Sequence, residues 1–346
     1  MPVKLVTPSR AGLIISTAAV VSLMQLAFIS PPPSSSSSLD VGRQTYLEKA
    51  LRGPIAQDDP LLLEWILDKT APPSREPYNL NYFFSGLSDE FNSSNPYSPS
   101  QEFILEHIEN FFGAQINMPF VFVEAGAYDG EFLSNTLMLE KEHGWRGLLI
   151  EPNRKSFEKL LAKHRKAWAI NACLSTNPFP SQESFTTVEA SGKIDFIANA
   201  IPGAKPGPNG MNDTGKASSR LSRFYNYSDD TLRPAGRETV QCLPLYSITR
   251  ALNMNHINLF SLDVEGAEMD ILKTIPWGAL TFTMLVIEHI PGDTLLVEFM
   301  ESKGYALIAH QYPDYIFVVK TAVKFQLPIS PGNRRKKFWK TSKKLL

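Results

Sequence analysis

The chain lacks an excess of either charge: 34 Lys and Arg stand against 35 Asp and Glu in 346 residues. Such a balance gives no global field toward a phosphate backbone, so nucleic acid is not an expected partner. Cysteine is scarce, with Cys173 and Cys242 the only two. They are too few for a disulfide scaffold, and a zinc site would need two further ligands, so no metal is expected. They could pair in an oxidising lumen. Cys173 follows the apolar run Ala167-Trp168-Ala169-Ile170, however, and two buried thiols are the expectation. No internal repeat and no G-x-G-x-x-G set occur. That missing glycine set argues against a dinucleotide pyrophosphate seated on a helix N-terminus, and so against a nicotinamide-linked dehydrogenase.

Long uncharged runs are equally rare, and the exception is Ala11–Ile29, followed by Pro31-Pro32-Pro33 and Ser34–Ser38. As a helix this run reaches about 28 Å, enough to cross a hydrocarbon core. No A-x-A-like cleavage site follows it, so a transmembrane signal anchor is expected over a cleaved signal peptide, with a membrane as partner. Lys4 and Arg10 precede the run, which leans toward a cytoplasmic N-terminus and a luminal domain. Three sequons, beginning at Asn92, Asn212 and Asn226, agree. The C-terminal Lys343-Lys344-Leu345-Leu346 resembles a dilysine retrieval signal, read only in the cytosol, and points the other way. The N-terminal features weigh more. The expected location is therefore a single-pass membrane protein of the endoplasmic reticulum, Golgi or endosome.

The organisation follows from composition. A tail over 1–10 precedes the anchor at 11–29. Next come a Ser/Pro linker over 30–60, a helical extension over 61–116, an α/β domain over 117–325 and a basic tail over 326–346. Within the extension a helix is predicted at 100–112, capped by Ser98 or Ser100. From 119 onward strands and helices alternate, which predicts a doubly wound, Rossmann-like parallel sheet. Strands are expected at Phe120–Glu124, Gly147–Glu151, Trp168–Cys173, Leu259–Asp263 and Met284–Glu288. A closing antiparallel pair is expected at Tyr305–Ala309 and Tyr315–Lys320. Helices fill 131–143, 153–165, 244–253, 267–274 and 293–303. Residues 199–237, rich in Pro, Gly, Asn, Ser and Arg, fit no period and read as a long surface excursion.

Chemistry concentrates where strands end. Val121-Phe-Val-Glu124-Ala-Gly126-Ala-Tyr-Asp129-Gly130 is an apolar strand entering a glycine-bearing turn. Gly126 lets a ligand approach the backbone, and Gly130 gives room beyond it. A ligand carrying a sulfonium and an ammonium wants a carboxylate beside that turn, which Glu124 supplies; Asp129 lies within the same turn. Ile150-Glu151-Pro152 ends the next strand with an acid able to accept both hydroxyls of a ribose. Leu262-Asp263-Val264-Glu265-Gly266-Ala267-Glu268 and Ile287-Glu288-His289 end two further strands. Glu124, Glu151, Asp263, Glu288 and His289 are thus expected to converge on one crevice at the carboxyl edge of the sheet. His107, His143, His164, His256 and His310 are assigned no chemistry.

On these residues the chain resembles the FkbM-type methyltransferase family. The pattern is Glu124-x-Gly-x-x-x-Gly130, Ile150-Glu-Pro152 and Leu262-Asp-Val-Glu-Gly-Ala-Glu268, and the likeness covers about 117–325. Phe122–Glu140, Cys173-Leu-Ser175 and Ile271-Leu-Lys-Thr-Ile-Pro-Trp277 resemble its Star-like branch. Two departures stand out: Leu245-Tyr-Ser-Ile248 replaces the family's acidic Leu-Asp-x-Leu stretch, and the 199–237 excursion has no counterpart.

The resemblance implies S-adenosylmethionine (SAM) as cofactor. Glu124, Gly126, Asp129, Gly130 and Glu151 would form its site, with Asp263 and His289 as candidate bases and Glu288 orienting. The Star-like branch implies a membrane-anchored factor that moves growth-factor-type secretory cargo, in the setting of EGF receptor signalling, and retains a SAM-type pocket. That role is preferred here. The alternative is an active O-methyltransferase on a sugar or other hydroxyl acceptor.

Overall fold

The computed structural model describes residues 38–81, 98–190, 232–264, 266–289 and 294–323. The chain divides into an N-terminal unit, Met1–Tyr46, and a main unit, Leu47–Leu346. The expected anchor at 11–29 lies outside the described residues. Among those described, no helix is long and apolar enough to cross a membrane.

The linker expected over 30–60 is corrected in part, because α1 occupies Ser38–Ala50. Past the serine run, Gln44, Leu47, Glu48, Lys49 and Ala50 are good helix formers uninterrupted by proline. Helix α2 (Pro60–Lys69) starts where the Asp59 carboxylate accepts the Leu61 and Leu62 amides, and it buries Leu62 and Ile66. Helix α3 (Pro99–Phe112) starts at a full capping box, Ser98 with Gln101.

Two sheets follow. The larger holds seven strands in the order β3-β2-β1-β7-β8-β10-β9. These are β1 (Val121–Ala125), β2 (Arg146–Ile150), β3 (Trp168–Ile170), β7 (His256–Leu262), β8 (Thr281–Glu288), β9 (Tyr305–Gln311) and β10 (Asp314–Val319). Strand β1 pairs in parallel with both β2 and β7, while β10 runs antiparallel to β8 and β9. The expected closing pair is present. Strand order reverses between β1 and β7, which makes the gap beyond their carboxyl ends the switch point where open α/β sheets hold ligands.

Alternation along the central strands sorts side chains to two faces. Val123, Leu148, Phe260, Leu285 and Phe317 belong to one buried cluster, and Phe122, Leu149, Leu259, Val286 and Ile316 to the other. Helices α4 (Leu137–His143), α5 (Arg154–Ala162), α6 (Leu245–Ala251), α7 (Glu268–Thr274), α8 (Thr294–Ser302) and α9 (Lys320–Val323) complete the order.

Three expectations fail around the second sheet, β4-β6-β5. The strand expected over Trp168–Cys173 breaks at Asn171, whose side-chain Nδ2 donates to the Glu151 and Pro152 carbonyls at 2.8 and 3.0 Å. Beyond that break β4 (Cys173–Leu174) leaves the main sheet to pair with β6 (Leu232–Leu243). Residues 232–237 are therefore strand, not excursion; they pair antiparallel with β5 (Ser181–Ala190). The rest of the expected excursion, 199–231, lies outside the described residues.

The third failure concerns the cysteines. Cys173 faces Cys242 across the β4–β6 pair. They form a disulfide with Cα atoms 4.3 Å apart, closing a separation of 69 residues, where two thiols were expected. Local sequence cannot reveal a pairing that depends on a sheet formed across such a distance. Cys242 is fully buried. Replacing both cysteines by serine is expected to lower the unfolding free energy by roughly 4 kcal/mol, as loop closure at this length implies. Urea denaturation of oxidised and reduced protein checks it, and equal midpoints would contradict it.

Candidate functional site

The turn after β1 is braced from several sides. Where a helix was expected from 131, residues 126–136 form a loop and α4 begins only at Leu137. Positive φ at Tyr128 (47°), Gly130 (77°) and Leu133 (55°) prevents a helix there. Gly126, at φ 87°, has no alternative: a Cβ would strike the Asp263 carbonyl. The loops after β1 and β7 therefore touch at the switch point. The Asp263 amide donates to the Ala125 carbonyl at 3.1 Å, and the Gly126 amide to the Ile150 carbonyl at 3.0 Å.

Glu124 closes the loop from inside. Its Oε2 accepts from the Ser134 and Thr136 hydroxyls at 2.9 and 2.5 Å, and its Oε1 from the Asn135 amide at 2.8 Å. Burial pushes its carboxyl above the usual range, while nearby Arg165 and these three donors pull it back. A carboxylate offers about four acceptor positions. Three are taken here, which leaves one on Oε1.

From below, buried Arg165 donates through Nη1 to the Gly130 carbonyl and the Ser134 hydroxyl, and through Nη2 to the Thr136 hydroxyl. Its Nε meets Glu140 at 3.0 Å with both side chains almost wholly enclosed. Neither Arg165 nor Glu140 was singled out from sequence, because nothing local ties Arg165 to a loop roughly thirty residues before it or pairs it with Glu140.

Glu151 stands at the tip of β2 with 2% exposure. Its Oε2 accepts the Tyr128 amide at 2.8 Å and its Oε1 the Asn153 amide at 2.7 Å. Each oxygen thus keeps one acceptor position. Burial pushes the carboxyl up to about 8, against the downward pull of the Asn153 and Tyr128 amides; Asp129 adds a small upward push. Asp129 itself serves the turn, since Oδ1 accepts the Glu131 and Phe132 amides at 2.9 and 2.7 Å. Gly130 packs against Leu160 of α5.

On the other side of the switch point, Asp263 directly follows β7, while Glu288 ends β8 and pairs with Asp314 of β10. His289 is buried and donates its amide to the Pro313 carbonyl at 3.1 Å. The carboxylate that meets its ring is Glu268 of α7, with Oε2 3.6 Å from Nδ1. Glu268 was quoted in a motif but given no role. The signal lay in its position: six residues after the end of β7, it falls in the first turn of the following helix, beside the same edge.

A family profile described as the methyltransferase FkbM domain matches residues 124–307. Among solved structures, the FkbM methyltransferase from Methylobacillus flagellatus KT is similar at 15% identity with a TM-score of 0.32. That alignment covers 63% of this chain and 50% of the bacterial chain. No curated protein sequence matches.

Proposed function

Because the chain belongs to the methyltransferase FkbM family, we propose that the crevice at its β1–β7 switch point binds SAM and supports methyl transfer to a hydroxyl acceptor. The observation that carries this reading is Glu151, whose two oxygens each retain one acceptor position at the tip of β2. A ribose presents two hydroxyl donors, so donor and acceptor counts agree. Gly126 serves the site indirectly, since the space its Cβ would take is filled by the Asp263 carbonyl, which fixes the two loops against each other. The remaining Oε1 position of Glu124 suits an ammonium.

When bound, SAM supplies a methyl group on a positive sulfur, whose bonding pair returns to sulfur as an acceptor oxygen takes the carbon. The chain's own work is to orient and to remove a proton. Asp263 and His289 are the candidate bases. Glu151 and the 126–130 turn hold the adenosine side, and the Arg165–Glu124 bracing keeps that turn shaped before any ligand arrives.

A second reading keeps the pocket and assigns the chain to secretory traffic as a Star-like, membrane-anchored factor. One observation favours its setting: the Cys173–Cys242 disulfide belongs to oxidising compartments.

Calorimetry of the full-length chain with SAM tests the first reading. Saturable binding of one equivalent is expected, and absence of heat at millimolar ligand contradicts it. Glycosidase sensitivity tests the setting. A mobility shift supports a luminal domain, and an unmodified chain from a glycosylating cell argues against it.

A further inference from the structure

We infer that Glu268 is a positioning residue that fixes His289 in the tautomer carrying its proton on Nδ1, leaving Nε2 as the proton acceptor for the hydroxyl being methylated. The role rests on the methyl-transfer reading and extends it to a residue that reading does not use.

The argument begins with the carboxylate. Glu268 is 1% exposed. Its Oε1 accepts the Gly266 amide at 2.8 Å and the Val264 amide at 3.3 Å, so the turn after β7 sets the plane of the group. Its Oε2 is buried and accepts no hydrogen bond among the described residues. A buried carboxylate oxygen without a donor is strongly unfavourable. The group facing it is Nδ1 of His289 at 3.6 Å, a nitrogen that is likewise buried.

The two residues are held independently, His289 through its backbone amide on the Pro313 carbonyl and Glu268 through its carboxylate on the β7–α7 turn. A proton on Nδ1 gives Oε2 its donor, and the neutral ring then carries its lone pair on Nε2. In the step itself the acceptor's O–H proton passes to Nε2. The resulting imidazolium is balanced by the Glu268 carboxylate beside it. This is the division of labour of a base and its orienting acid. It also explains why the acid comes from α7 rather than from the neighbouring Glu288: strand alternation sends residue 288 to the face opposite residue 289.

Nitrogen NMR of the full-length chain, labelled at its histidines, tests the assignment without any acceptor substrate. Six histidines are present, and the His289→Asn spectrum identifies the ring by subtraction. In the native protein, at a pH where the ring signals are those of a neutral imidazole, Nδ1–H is expected. Glu268→Gln keeps an oxygen for the Gly266 and Val264 amides but turns an amide donor toward Nδ1, so the ring should switch to Nε2–H. A native ring already protonated on Nε2, or one whose tautomer ignores Glu268→Gln, overturns the role. If Glu268→Gln fails to fold, the native tautomer alone decides. Calorimetry separates the two failures: no heat with SAM removes the underlying reading, whereas heat together with a native Nε2–H ring removes the positioning role alone.

Discussion

Arg165→Met is expected to lower the unfolding free energy by roughly 3–5 kcal/mol, the range for breaking a buried ion pair by removing one partner. The guanidinium and Glu140 are 2% and 1% exposed, so neither charge can turn to water once the other is gone. Glu124, fully enclosed and within the field of Arg165, would lose part of what offsets its desolvation. Three loop acceptors, the Gly130 carbonyl and the Ser134 and Thr136 hydroxyls, would also lose their donor. Methionine fills similar volume, so a cavity contributes little. Urea denaturation gives the answer as a lower midpoint at unchanged slope. The surface pair Arg154–Glu158, 77% and 62% exposed, is the control, and Arg154→Met should be nearly silent. A loss at Arg165 below about 1 kcal/mol would mean that the loop does not depend on this bracing.

Glu151 should carry the second large effect, and it should depend on pH. Two charge-assisted hydrogen bonds to a ribose are together worth a few kcal/mol, so Glu151→Ala is expected to weaken SAM binding on the order of a hundredfold or more. In the native protein burial places the carboxyl near about 8, while hydroxyl donors require the ionised form. Affinity should therefore rise with pH, by up to about tenfold per unit below the folded pKa, and level off above it. Proton release on binding, read from calorimetry in buffers of different ionisation heat, is the companion signature.

The same group gives an inverted stability trend. Its folded pKa lies above the ordinary carboxylate value, so between about 4.5 and about 8 the native state holds a proton that the unfolded chain has released. Its contribution to stability falls as pH rises through that window. Affinity independent of pH from 6 to 9 would show that Glu151 does not meet the ribose.

The main sheet was legible because its signals are local. Phe122-Val123 and Leu259-Phe260 are apolar runs buried on both faces, and each strand ends in the carboxylate or glycine that marks its carboxyl edge. Ser98 with Gln101 announced α3 in the same local way. What escaped depends on distant partners. Strand β5 carries the β-branched run Thr186-Thr187-Val188, but its pairing partner lies about fifty residues downstream in β6, where Pro234 and Gly236 disguise a strand. The disulfide inherits that difficulty.

In the site, the acids at strand tips could be read from position alone. Their hydrogen-bond partners could not. Glu124 is largely committed to Ser134, Asn135 and Thr136, and the acid beside His289 is Glu268, because loop closure and a helix start, rather than strand ends, decide those contacts. Asp129 likewise turned out to hold its own turn.

A crystal structure of the full-length chain with S-adenosylhomocysteine tests the shared hollow most directly. Both ribose oxygens are expected within hydrogen-bonding distance of the Glu151 carboxylate, with the amino-acid end over the Gly126 turn. A ligand bound elsewhere, or a β1–β7 gap that stays closed at saturating concentration, would contradict the account at its root.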